Sequence, residues 1–327
     1  MIEYQIKDWL LSTFSYHGTV WPRVLLRVLS LPLLASSLLY ARQMTLYGYN
    51  LGDLLEPLWL SPLAHTLTGT ALSLVLVFRN NASYDRYWEG RKQWGSIVNA
   101  SRNLARSSRS YGGDLKTLAP LLCAYPYALK AQLRMQNPVH AIKRFMDEET
   151  AHQLATHPNP ALAVNLRMSD WLQGELKARH IIPELAQRIE KQIATLMDCQ
   201  GACERILKTP VPFAHVIHVR QLLFFYLLSL PFVLIPAMGW TAVPAVTLIG
   251  LGLLGIEEAG VEIENPFGDD PNDLPLNKIC DVIRIDVMAL ISFDDDLIDT
   301  PEVSLSEADE SLQAGDDSEG AIQDENP

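Results

Sequence analysis

Four apolar runs organise the chain. The longest, Gln221 to Ile256, holds 36 residues without Asp, Glu, Lys or Arg. A membrane-crossing helix needs roughly 20 apolar residues. The run therefore predicts two short or tilted helices, about Val211 to Ile235 and Thr241 to Ile256, with Pro236-Ala-Met-Gly-Trp240 as the turn. Gly250, Gly252 and Gly255 would let neighbouring helices approach closely. Two shorter runs lie earlier. Val24 to Tyr40 carries Arg27 near its start, where a long side chain can reach the interface, and Pro62 to Phe78 carries no charge. Together they predict four membrane helices arranged as two hairpins.

The pattern changes after Phe78. Residues 84–110 contain no proline for 27 residues and place Tyr87, Trp94 and Val98 at helical intervals. Gly90 and Gly95 do not suffice to end such a run, so the second membrane helix is expected to continue beyond the membrane. A later helix is predicted from Leu185, Ile189, Ile193, Leu196 and Ile206, with Pro183 in its first turn and Pro210 and Pro212 at its end.

Charge sets the orientation. Residues 79–109 hold seven Lys and Arg, the connection 41–61 holds only Arg42, and the turn 236–240 holds none. The excess of basic residues marks the cytoplasmic side, so both termini and the middle segment are expected there. The chain divides accordingly: a cytosolic N-terminal segment (1–23), membrane helices one and two (24–78), a cytosolic helical region (79–210), membrane helices three and four (211–258), a cytosolic C-terminal region (259–293) and a tail (294–327). The opening MIEYQIKDWLL lacks the long apolar core of a secretory signal.

Composition fits this division. Hydrophobic residues make up 48% and charged residues 20%, with mean hydropathy +0.07. The net charge of −12 is misleading, because residues 294–327 hold 13 acidic and no basic residues, leaving 26 basic against 25 acidic elsewhere. The tail is expected to be disordered. With a near-neutral body and an anionic tail, nucleic acid is a poor partner. The four cysteines form no C-x-x-C pair, and Cys199 and Cys203, four apart, read as small core residues of a reducing compartment.

Three stretches carry a resemblance. FRNNASYDRYWEGRKQWG (78–95), GACERI followed by T-P-x-P (201–212) and IENPFGDDPNDLPL (263–276) resemble the bestrophin family, and more narrowly its bacterial members. The resemblance implies an all-α homopentamer in the bacterial inner membrane, with one axial pore for small monovalent ions and no enzymatic reaction. It also implies that the second membrane helix lines the pore and that Thr70, Leu74 and Phe78 form its neck. The residue pattern agrees: Thr66, Thr70, Leu74 and Phe78 recur every four residues and share one helix face. Stacked apolar rings gate by dewetting. Thr70 departs from the family's usual apolar residue, and a hydroxyl ring is easier to wet. The competing reading is that this face packs against the first helix.

The resemblance also points to a cytosolic aperture at Glu184. Five glutamates there would favour cations, whereas a lone glutamate in a first helical turn is an ordinary partner of the helix dipole. The expectation is a cation-preferring channel. The alternatives are an anion channel of the same fold and a membrane-anchored regulator binding a soluble protein. Asp269, Asp270 and Asp273 resemble part of the calcium clasp of animal bestrophins, but Pro271 and Asn272 interrupt the acidic run, so a turn-and-cap role competes with calcium binding. Glu257, Glu258, Glu262 and Glu264 read as a solvated helix end. Arg79, Asp85 and Arg86 are expected to pair within the protein. His65, His215 and His218 are too few for a membrane di-iron enzyme.

Overall fold

The computed structural model describes residues 15–292, apart from 47, 48, 51, 53 and 54. The tail and most of the N-terminal segment lie outside the described residues. The architecture is helical: α1 (Trp21–Gln43), α2 (Pro62–Ser110), α3 (Leu115–Leu133), α4 (Val139–Ile142), α5 (Glu148–Thr156), α6 (Pro160–Lys177), α7 (Pro183–Lys208), α8 (Phe213–Met238), α9 (Ala242–Glu262) and α10 (Leu276–Ser292). Among the described residues the extended structure is one antiparallel pair of two-residue strands, β1 (Thr45–Leu46) and β2 (Tyr49–Asn50), with Leu46 opposite Tyr49.

α2 is the spine. Its 49 residues contain no proline after Pro62 at its first position. At 1.5 Å per residue it extends about 70 Å, far more than the ~30 Å of a bilayer core. The expected continuation past Phe78 is therefore what the structure shows. α2 runs through two packed layers. In the first, Val28, Leu76, Leu223, Leu227 and Val246 join α1, α2, α8 and α9. In the second, Trp94, Ile97, Leu104, Tyr125, Met168 and Ile193 join α2, α3, α6 and α7. Side-chain caps start α3, α5 and α6 of the second layer. Asp114 accepts from the Lys116 and Thr117 amides, Asp147 from Thr150 and Asn159 from Leu162.

Among the described residues, Trp21–Gln43 and the stretch Phe213–Glu262 are long and apolar enough to cross a membrane. The second stretch folds back on itself at Gly239, whose φ of 56° only glycine adopts readily. The reversal falls within the expected turn, Pro236 to Trp240, although Pro236 itself still lies in the last turn of α8. A second expectation also changes. α1 and α2 do not form a packed hairpin of their own; α9 lies against both and joins them. The four cysteines are free and buried. Burial pushes the Cys123 thiol up to about 11 and the Cys203 and Cys280 thiols up to about 12, so they stay protonated near neutrality.

Candidate functional site

The face of α2 that carries Thr66, Thr70, Leu74 and Phe78 points away from the bundle. Leu74 is 56% and Phe78 62% exposed, while Leu76, on the opposite face, is 1% exposed. The reading in which this face packs against the first helix is therefore overturned. Its hydroxyls are turned inward along the helix. Thr66 donates to the Pro62 carbonyl at 2.8 Å, Thr70 to Thr66 at 2.9 Å and Ser73 to Gly69 at 2.8 Å. Such back-bonding satisfies the hydroxyl proton within the helix. A Thr70 ring would be less hydrophilic than residue type alone suggests. Leaving a leucine or phenylalanine in water forfeits roughly 1.5–3 kcal/mol each; two consecutive turns of such exposure call for a neighbour or lipid.

Directly behind Phe78 lies a girdle of buried charge. Arg79 and Glu257 are both buried and meet at 2.7 Å. Arg220 Nε donates to the same Glu257 oxygen at 2.9 Å. Arg27 bonds the buried Glu258 at 3.1 Å, and Asn80 donates to the Ile256 carbonyl at 3.1 Å. Further along, Arg23 pairs with Glu262 and, at 3.2 Å, with Asp270. The α9 acids are thus not a solvated helix end. They hold α1, α2 and α8 around α9, because a buried carboxylate is tolerable only when paired and hydrogen-bonded. Arg79 keeps Nε and Nη2 buried without a partner in the described structure. The signal was present in the sequence: Arg79 and the Glu257-Glu258 pair each directly end an apolar run, which places opposite charges at one depth.

The three motif stretches converge at one joint. Arg86 donates to the Ile206 carbonyl at 2.6 Å, the Thr209 carbonyl at 2.5 Å and the Glu264 carbonyl at 3.1 Å. Gly90 lies so close to Pro266 and Phe267 that an added Cβ would sit 3.0 and 3.1 Å from them. Arg79 and Arg86 thus find partners inside the protein as expected, Arg86 with carbonyls rather than a carboxylate. Asp85 is exposed.

The Asp269–Asp273 loop does not converge on a cation. Asp269 meets Arg134 at 2.5 Å and accepts from Gln136, while Asp270 meets Arg23. Asp273 Oδ2 turns inward to accept the Asp270 amide at 2.7 Å. Burial raises the Asp273 carboxyl pKa, helped by Asp270 and Asp269 and opposed by the Asp270 amide and Arg134. Carboxylates committed to arginines and a backbone amide do not fit the several-oxygen shell that calcium needs. Among the described residues no three His, Cys, Asp or Glu gather as a metal site. His65 instead stacks on Tyr226 at 4.1 Å and reaches Ser229 at 3.1 Å.

Glu184 is exposed in the first turn of α7 behind Pro183. Two residues earlier, at the N-cap, Ile182 is 56% exposed, an apolar side chain at the same tip that the sequence reading passed over.

A family model described as bacterial/fungal bestrophin protein matches residues 1–289. A protein of Synechocystis sp. named a voltage-dependent anion channel-forming protein is 37% identical over 297 residues, covering 86% of this chain and 96% of its own. A Nostoc sp. protein of the same descriptive name is 35% identical, covering 88% and 92%. The solved structure of a bacterial bestrophin homologue from Klebsiella pneumoniae superposes with TM-score 0.75 at 26% identity, covering 82% of this chain and 98% of that one. With matched motifs that meet at one joint, and with this coverage, the chain belongs to the bacterial and fungal bestrophin family of membrane ion channels.

Proposed function

We propose that the chain assembles as a homopentamer whose pore is lined by α2, with Thr70, Leu74 and Phe78 as an uncharged neck, and that it conducts small monovalent anions. One observation carries the pore assignment: Leu74 and Phe78 stand exposed on one face of α2, while Leu72 and Leu76 on the opposite face of the same turns are buried. Pro62–Phe78 also falls short of the apolarity of the other spans, as a span carrying His65, four hydroxyl side chains and a wet surface should. It would complete a set of four spans, with both termini on the cytoplasmic face of the bacterial inner membrane and α2 carrying the path into the 79–210 layer.

The sign of the permeant ion reverses the sequence expectation. The names of the relatives favour anions. The girdle behind Phe78 does not oppose them, because Arg23, Arg27, Arg79 and Arg220 balance Glu257, Glu258, Glu262 and Asp270. A Glu184 ring would favour cations. An aperture formed by Ile182 would not, and an apolar residue there is what the family resemblance leads one to expect.

Purified protein in a planar bilayer under a KCl gradient tests the reading. The account expects the reversal potential near that of chloride. A value near that of potassium, moved toward chloride by Glu184→Gln, would restore the cation reading. Absence of conductance from a pentamer-sized particle would favour the membrane-anchored regulator.

A further inference from the structure

A groove lies beside the girdle, between α1 and α8. Leu31, Leu34, Leu223, Phe224 and Leu227 form its wall, and it encloses about 600 Å³. Arg27 and Arg220 line the same groove. Their side chains are about half exposed, and each spends one nitrogen on a buried carboxylate: Arg27 Nη1 on Glu258, Arg220 Nε on Glu257. Their remaining N–H groups have no partner among the described residues. Glu257 serves two arginines at once. The groove is therefore a greasy channel ending in two anchored guanidinium forks with net positive charge.

The geometry points to an anionic phospholipid as its occupant, with the phosphate ester held by Arg27 and Arg220 and an acyl chain laid against α1 and α8. Charge complementarity selects this class. A guanidinium fork matches a phosphate in two parallel bonds, and basic pockets between helices at the cytoplasmic surface take anionic headgroups. A zwitterionic lipid would bring its own cation to a site already in positive excess. A polar solute would leave the leucine wall wet. The carboxylates behind the forks hold each guanidinium in place before the lipid arrives, which lowers the ordering cost of binding.

The inference rests on the membrane setting but not on conduction, so it is tested without current. Native mass spectrometry of the full-length oligomer would follow retention of dioleoylphosphatidylglycerol against dioleoylphosphatidylcholine. Retention of the glycerol lipid should exceed that of the choline lipid, and Arg220→Gln should weaken it on the order of tenfold. Arg220→Gln also strips a partner from Glu257 and could perturb folding. Ser30→Trp is therefore run in parallel: Ser30 lines the groove and is exposed, outside the ion pairs. It should abolish the preference in an intact oligomer. Equal retention of both lipids, unchanged retention in both variants, or full displacement by millimolar inorganic phosphate would overturn the assignment. So would dissociation of the oligomer by Ser30→Trp with no lipid preference in the parent, which would make the groove a subunit contact.

Discussion

The two halves of α2 obey opposite rules. Beyond the girdle, Trp94, Ile97 and Leu104 are fully buried against neighbouring helices. Before it, Leu74 and Phe78 stand exposed although they are as apolar. The difference is what surrounds them. The helical core of the far half is completed by its own chain, whereas in the near half only the Leu72–Leu76 face is, and the Leu74–Phe78 face is left for a neighbour, for lipid or for the pore. The girdle marks the change, because Arg79 and Asn80 fasten α2 to α9 directly after Phe78. An unpartnered apolar stripe opposite a packed one thus reads as a functional surface rather than as a packing defect.

The strongest way to break the comparison is to cut the fastening. Glu257→Ala would leave Arg79 buried and Arg220 unpaired, a loss of about 3–5 kcal/mol for a broken buried pair. The expected outcome is loss of the folded oligomer in size-exclusion chromatography; a stable oligomer would mean that water reaches the girdle. Trp94→Ala, in the packed half, should cost about 3–5 kcal/mol through the cavity it opens. Thermal unfolding would check it, and a change within 1 °C would contradict the packed description.

Substitutions in the exposed half should do the reverse, leaving stability nearly intact and changing conduction. Leu74→Ala and Phe78→Ala widen the rings and ease wetting, so conductance or open probability should rise, and Thr70→Ile should lower it. Single-channel recording decides, and unchanged currents in all three would remove α2 from the pore. The smallest effect expected is at Asp273. Its carboxyl pKa is raised in the folded protein. Its contribution to stability is therefore present at low pH and lost as pH rises from the ordinary carboxylate value through the raised one. Asp273→Asn keeps an acceptor for the Asp270 amide, so it should be neutral to slightly stabilising at pH 7 in thermal melts. A marked loss of stability at pH 7 would show the charge to be needed.

Much of this was legible in the sequence, for identifiable reasons. The apolar runs located α1, α8 and α9 to within a few residues, because length and the absence of charge are local properties. The extension of α2 followed from a proline-free helical pattern. The exposed face of α2, on which the proposed neck lies, came from four-residue spacing combined with the family motifs. The girdle was not legible as a unit, because whether Glu257 is solvated or buried depends on where Arg79 and Arg220 lie in space. The loop aspartates misled in the same way, since Arg134 and Arg23 reach them from distant parts of the chain. α10 could have been read and was not: Leu276, Cys280, Ile283 and Val287 are buried at spacings of four, three and four.

The account's central claim is that one face of α2 meets water inside the pore while the opposite face is packed. Single cysteines at 74 and 78 on one face, and at 72 and 76 on the other, can be challenged during recording with a small water-soluble methanethiosulfonate reagent. The native cysteines are buried, with three thiols held at about 11 or 12, so the unmodified protein should be silent. Leu74→Cys and Phe78→Cys should lose or change current within the exposure, while Leu72→Cys and Leu76→Cys should not respond. Modification at 72 and 76 with silence at 74 and 78 would contradict the account outright.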